Sequence, residues 1–175
     1  MNTIVIYRSK TGFSQRYAQW LAEDLGCQAV PYRERGRVDL GAYRIVILIG
    51  GLYAGQMSGL SWLKKQLPRL VGRQVAAVAV GCAPVENNPG LPESMEKLFG
   101  DIEGIQSFYC QGGLDYAHMG AVDRAMMAAL RAMLKKQGDQ PDMLAGISQS
   151  FDGAKREYLA PVVQWARKCA QVQPD

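Results

Sequence analysis

Three hydroxyl side chains and a glycine lie together in one short stretch near the N-terminus. The stretch is Ser9-Lys10-Thr11-Gly12-Phe13-Ser14, and it lies between a predicted strand and a predicted helix. Hydroxyls and free backbone N–H groups at a helix N-terminus bind anions, because the helix dipole is positive at that end. Gly12 would allow a close backbone approach or a positive φ. The stretch therefore predicts a phosphate site, and the alternative is a Ser/Thr turn that only caps the helix through Ser14.

Two other nucleotide-binding motifs are absent from this region. The P-loop pattern Gly-x-x-x-x-Gly-Lys-Ser/Thr does not occur, and no Gly-x-Gly-x-x-Gly opens the predicted helix. Both absences argue against a nucleoside triphosphate or NAD as a tightly bound ligand.

Five apolar stretches alternate with helical patterns along the chain. The predicted strands are 3–7, 27–32, 44–50, 74–80 and 105–111. The predicted helices begin at Ser14 and Ser58 and otherwise cover 92–100, 119–137 and 156–170. Such alternation predicts an α/β domain with a parallel sheet covered by helices on both faces. No linker or repeat interrupts the pattern, so residues 1–175 are expected to form a single domain.

The composition argues against several classes of function. The net charge of +4 is modest and no basic run alternates with aromatic residues, so nucleic acid is not an expected partner. The four cysteines form no Cys-x-x-Cys pair and His118 is the only histidine, so no metal site is expected. His118 is expected to be structural rather than catalytic. No apolar run indicates a transmembrane helix or signal peptide, so a soluble, cytoplasmic protein with reduced cysteines is expected.

The stretch 9–14 contains a motif that resembles one known family. Ser-x-Thr-Gly-x-Ser directly after an N-terminal strand is similar to the loop that holds the phosphate of FMN in flavodoxins, and the whole chain follows the flavodoxin order of elements. The resemblance implies a flavodoxin-like three-layer sandwich, with a five-stranded parallel sheet in the order 2-1-3-4-5. It implies FMN as cofactor, with Ser9, Lys10, Thr11, Gly12, Phe13 and Ser14 at its phosphate.

In this family two further loops reach the flavin from the same edge of the sheet. The resemblance implies that the loop after the third strand contributes Gly51, Leu52, Tyr53, Ala54 and Gly55, and that the loop after the fourth strand contributes Gly81, Cys82 and Ala83. Tyr53 or Leu52 would lie against the flavin ring, although Tyr53 could equally be an ordinary half-buried aromatic. The loop after the fourth strand lacks the aromatic residue that many flavodoxins stack on the flavin, which predicts a more open face.

Residues 114–150 are surplus to a five-stranded flavodoxin. This extra segment resembles, in its position, the region after the fifth strand of the flavodoxin-type, menaquinone-dependent protoporphyrinogen oxidases. Its helix has an apolar stripe and a basic face, which suit an apolar anionic substrate or a lipid surface. The alternative is that the stripe packs on the sheet. The stripe and the basic face are formed by Met119, Val122, Met126, Leu130, Met133 and Leu134, and by Arg124, Arg131, Lys135 and Lys136.

Three functions remain open from the sequence. The first is an FMN-dependent oxidoreductase that acts on a quinone- or porphyrinogen-type partner, and the family resemblance together with the basic charge favours it over the acidic electron carriers. The second is an electron carrier without small-molecule turnover, and the third is a binding module that has lost its flavin. A redox protein or a small electron donor or acceptor is the expected partner, with peripheral membrane contact as a further option. The sequence indicates no oligomeric state.

Overall fold

Five parallel strands form the central sheet of the computed structural model, which describes residues 2–138 and 141–171. The strands of this sheet and its hairpin are β1 (Thr3–Arg8), β2 (Gln28–Pro31), β3 (Ile45–Tyr53), β4 (Gln56–Met57), β5 (Gln74–Gly81) and β6 (Gln106–Gln111). The order is β2-β1-β3-β5-β6, and β4 turns back to pair with β3. If the two-residue β4 is set aside, this is the predicted order 2-1-3-4-5, and the predicted fold class is confirmed.

Helices cover both faces of the sheet. They are α1 (Phe13–Leu25), α2 (Leu60–Gln66), α3 (Leu91–Phe99), α4 (Ala121–Gln137), α5 (Pro141–Gly146) and α6 (Ala160–Gln171). Pro161 is the second residue of α6, where its missing N–H costs nothing. The connection between β2 and β3 contains two 3₁₀ turns, Tyr32–Arg37 and Leu40–Ala42.

Two apolar cores lie on opposite faces of the sheet. On one face α1 and α6 pack on the strands through Tyr17, Leu21 and Val162. On the other face α2 and α3 pack through Leu63 and Phe99. Because successive side chains of a strand point to opposite faces, β3 supplies both cores and has no polar residue along its buried length.

The extra segment has a small core of its own. Two-residue strands β7 (Gly113–Leu114) and β8 (Phe151–Asp152) pair antiparallel and close the segment at its base. Leu114, Met119, Leu134 and Ile147 form a third apolar cluster, separate from the two cores on the sheet. The prediction that the stripe of α4 packs on the sheet is therefore wrong.

The stripe predicted for α4 is also divided. Leu134 is buried, but Val122, Met126 and Met133 are exposed to 80%, 42% and 50%. Part of the stripe stays exposed because α4 packs on the small cluster beneath it. Within residues 2–138 and 141–171, no helix combines the length and the apolar character needed to span a lipid bilayer.

Candidate functional site

The loop between β1 and α1 presents unpaired amides at the carboxyl edge of the sheet. Gly12 caps α1 with a φ of 92°, a conformation that favours glycine. The N–H of Arg16 bonds to the carbonyl of Gly12, so the amides of Phe13, Ser14 and Gln15 have no acceptor within the helix. This is the arrangement that binds a phosphate group.

The three hydroxyl groups of this loop have different surroundings. Ser14 lies inside the first turn of α1 and is buried, and no side chain caps this helix, so the capping alternative for Ser14 is wrong. Ser9 accepts the N–H of Gly12 at 3.0 Å and so shapes the turn. Thr11 and Ser14 line the adjacent pocket.

All three predicted loops meet at one pocket. Its walls include Ser9, Thr11, Phe13 and Ser14 from the first loop, Gly51, Leu52, Tyr53 and Ala54 from the second, and Gly81 and Cys82 from the third. The other predicted residues, Lys10, Gly12, Gly55 and Ala83, belong to the same loops but do not line the pocket. The loops converge because β1, β3 and β5 are neighbouring parallel strands whose carboxyl ends share an edge.

The second loop is tighter than its sequence indicated. Residues 50–57 were expected to form an open loop, yet β3 continues to Tyr53 and pairs with β4 across a two-residue turn. Ala54 takes a positive φ of 46° in that turn. The ring of Tyr53 folds back over Gly51, where a Cβ atom would lie 2.6 Å from the ring. Position 51 must therefore be glycine to leave room for the ring of Tyr53.

Tyr53 is fixed by two neighbours from the first loop. The ammonium of Lys10 lies 4.5 Å from the centre of the Tyr53 ring, in a cation–π contact. Burial raises the pKa of Tyr53, and a hydrogen bond with Thr11 opposes that rise. Tyr53 is thus a neutral, oriented aromatic wall of the pocket.

The side chain of Lys10 forms an ion pair with the extra segment. Its Nζ atom bonds both carboxylate oxygens of Asp123, at 2.9 and 2.8 Å. Asp123 lies in the first turn of α4, where a carboxylate is favoured by the helix dipole. This ion pair ties the N-terminus of α4 to the first loop and so holds the extra segment over the pocket.

The roof of the pocket lies in the extra segment, whose methionine-rich stripe was proposed from the sequence as a surface for a substrate or a lipid. It is formed by apolar side chains of that segment, namely Leu114, Met119, Met126, Met127, Leu130, Met143 and Ile147. Methionine suits such a roof, since it adapts to irregular apolar ligands. The free volume is about 180 Å³, below the roughly 300–1,000 Å³ of typical ligand pockets, because the roof fills the space.

His118 lies outside the pocket. Its side chain is exposed, and its Nδ1 atom lies 2.7 Å from Asp115. Asp115 also accepts the N–H groups of Ala117 and His118 and so holds a turn at the base of the segment. The hydrogen bond with His118 lowers the pKa of Asp115. These contacts support the structural role expected for His118.

The fold and the three convergent loops define a flavodoxin-type α/β protein. The sequence model of the flavodoxin domain matches residues 4–141, and the chain belongs to this family. Among curated proteins, none matches the chain at a significant level.

The solved structures similar to this chain match it at low identity. A WrbA-like flavodoxin from Agrobacterium tumefaciens is 16% identical, with a TM-score of 0.46, and the match covers 95% of this chain and 97% of that one. The Trp repressor binding protein from Bacillus subtilis is 16% identical, with a TM-score of 0.45 over 63% and 84% of the two chains. A flavoprotein from Lactobacillus acidophilus, in complex with FMN, is 10% identical with a TM-score of 0.40 over 62% and 91%.

Proposed function

We propose that this chain is an FMN-dependent oxidoreductase that acts on a flat apolar partner of the quinone or porphyrinogen type. One observation carries the proposal: the loops that hold FMN in this family open into a pocket roofed by methionine and leucine side chains. A simple carrier needs only an exposed flavin edge, whereas an apolar roof provides a binding surface for a small substrate.

FMN is the cofactor that the family implies, and the chemistry of the residues that line the pocket suits it. The amides at the start of α1, with Thr11 and Ser14, supply donors for the phosphate. Tyr53 and Leu52 on one side and Gly81 and Cys82 on the other supply walls for the flat ring. Bound FMN supplies the redox chemistry, and this chain binds it, orients it and excludes water.

The apolar roof of the pocket must move outward when a ligand binds. The free volume of the pocket, about 180 Å³, is too small for a cofactor and a substrate together. Met126 and Met143 are each partly exposed and line the mouth of the pocket. Because methionine side chains change rotamer readily, the roof is able to move outward around a ligand while the ion pair of Lys10 and Asp123 holds one end of α4.

A lipid surface is the proposed source of the apolar partner. Val122, Met126 and Met133 form an exposed apolar stripe on α4, and Lys135 and Lys136 follow in its last turn. An apolar stripe beside basic residues suits the surface of an anionic bilayer. The stripe meets the mouth of the pocket at Met126, so a substrate dissolved in the lipid would have a short path to the site.

Replacement of residues 115–150 by a short Gly-Ser linker tests this function. Leu114 and Phe151 are paired neighbours, so a short linker closes the gap without strain. We expect the shortened protein to bind FMN. A water-soluble naphthoquinone should reoxidise its reduced FMN at least about tenfold more slowly, because the apolar substrate surface is gone. Stopped-flow absorbance after photoreduction measures that rate.

Two outcomes would count against the proposal. An unchanged rate in the shortened protein would place the substrate elsewhere and favour the electron carrier. A shortened protein that is unfolded and flavin-free would show that the segment belongs to the basic fold, and Met126→Gln with Met143→Gln then tests the same surface. Val71→Gln is the matched control, because Val71 is 83% exposed and lies outside the pocket lining.

A further inference from the structure

A basic groove lies beside the cofactor pocket and is not used by the proposed function. It consists of three adjoining hollows, the largest of about 600 Å³, which share walls with one another. We call it the arginine groove and define it by Arg8, Arg33, Arg35 and Arg69 together with Tyr32 and Trp62. Its third hollow ends at Lys10 and Tyr53, and Tyr53 also lines the cofactor pocket.

The guanidinium groups of the arginine groove are held in place by aromatic rings. Arg35 lies 3.9 Å from the centre of the Tyr32 ring and Arg8 lies 4.9 Å from it. Arg35 also donates to the carbonyl of Tyr32 at 2.8 Å, and Trp62 meets Tyr32 edge-on at 5.6 Å. A cation ordered in this way loses less side-chain entropy when it binds an anion.

The positive charge of the arginine groove is largely uncompensated. Across residues 2–138 and 141–171, Arg8, Arg35 and Arg69 take part in no ion pair. Two carboxylates lie in or beside the groove. Glu34 contacts Arg33 at 3.4 Å, and Asp39 accepts the N–H of Gly41 at 3.0 Å. Neither carboxylate lies within ion-pair distance of the three arginines, so the groove is suited to an anionic partner.

The position of Tyr53 restricts the kind of electron transfer that a partner in this groove can carry out. It lines both the cofactor pocket and the third hollow, so its ring stands between them. A hydride donor must bring its reacting atom to about 3–3.5 Å from the acceptor, and Tyr53 blocks that approach from the groove. A single electron needs no such contact, because it can pass through an intervening side chain.

We propose that the arginine groove docks an acidic electron-transfer protein. The groove contains four arginines together with Tyr32 and Trp62, and arginine, tyrosine and tryptophan are enriched in the centres of protein interfaces. Each docking passes one electron from the reduced partner to FMN, so two dockings and two protons from solvent give the fully reduced cofactor. The inference rests on the proposed function, since it names the electron donor of the same site.

Isothermal titration calorimetry with an acidic plant-type [2Fe–2S] ferredoxin tests the docking. The probe is titrated into the FMN-loaded protein and into the flavin-free protein, at low and at high salt. We expect binding to both forms and a marked weakening by salt, because exposed charge pairs are screened. Arg8→Gln with Arg35→Gln and Arg69→Gln should weaken binding about tenfold or more.

The control variant removes the same charge from the other face of the sheet. Arg167 and Lys168 lie in α6, and Lys155 precedes that helix; α6 packs on the face opposite Tyr32 and Trp62. Glutamine at these three positions should leave the affinity unchanged. Equal weakening in both triple variants, or no binding by the wild-type protein, would overturn the proposal. Binding of anionic vesicles but not of the ferredoxin through the same arginines would overturn it in favour of a membrane.

The titration separates the two hypotheses. If the protein takes up no FMN, the proposed function fails, yet the flavin-free titration still reports on the docking. If FMN and quinone turnover are normal but ferredoxin is ignored, only the docking fails.

Discussion

Thr11→Ala combined with Ser14→Ala is expected to weaken the affinity for FMN by roughly 100- to 10,000-fold and to leave the affinity for riboflavin nearly unchanged. Both hydroxyls line the pocket beside the unpaired amides of α1. Each hydrogen bond to a charged group contributes about 1.5–3 kcal/mol, so two lost bonds give this range. Riboflavin lacks the phosphate, so the affinity for riboflavin should stay nearly the same. Fluorescence titration with the two ligands measures both affinities.

A second effect of Thr11→Ala needs its own control. Thr11 also bonds Tyr53, so its removal could disturb the aromatic wall. Tyr53→Phe removes that bond and keeps both hydroxyls at the phosphate site, so it should affect FMN and riboflavin alike. If the double alanine variant weakened riboflavin as much as FMN, the phosphate would have to bind elsewhere.

Gly50→Ala is expected to destabilise the protein by about 3 kcal/mol or more, the upper part of the range for overpacked sites. A Cβ atom at Gly50 would clash with the carbonyl oxygen of Ser58 and crowd Met57 at 3.2 Å. The backbone has little freedom to yield, because the N–H of Ser58 bonds to Gly51 at 2.9 Å. The melting temperature, followed by circular dichroism, should fall by roughly 10 °C.

Gly36→Ala is the matched control for this variant. No heavy atom lies within 4 Å of a Cβ at Gly36, and its φ is not in the left-handed region. Its melting temperature should stay within about 2 °C of the wild type. A similar small change in Gly50→Ala would show that the hairpin β3–β4 moves freely, which would contradict its role as a fixed wall of the pocket.

The sheet could be predicted because its signals are local. Residues 44–50 are apolar without interruption and were recognised as a buried strand, and the ends of α1 and α3 follow from Gly26 and Gly100. The strand order came from the resemblance to flavodoxins, and the structure confirms it. The family match to residues 4–141 explains why one short motif was informative about the whole fold.

The details of the site were harder to predict, since they depend on contacts distant in sequence. The side chain of Lys10 pairs with Asp123, which lies 113 residues later in the chain, and no local pattern indicates that contact. The hairpin at Ala54 requires a positive φ at a residue that rarely adopts one. The roof over the pocket depends on how the extra segment folds back at β7 and β8, and helical periodicity carries no information about that.

Two of the alternatives that the sequence left open are contradicted by the structure. Ser14 was a possible helix cap, but Gly12 fills that position and Ser14 is buried in the first turn. The sheet was a possible packing surface for the stripe of α4, yet Val122 and Met133 are exposed. Residue type and spacing alone do not show which residue caps a helix or which surface a stripe meets.

The most direct test of the account is a fluorescence titration of the purified, flavin-free protein with FMN. If the loop 9–14 holds the phosphate of FMN, flavin fluorescence should be quenched with an end point of one FMN per chain. Inorganic phosphate should compete weakly for the same site. A protein that leaves FMN fluorescence unchanged at high micromolar concentration would contradict the account, because the loop 9–14 would then be a turn without a ligand.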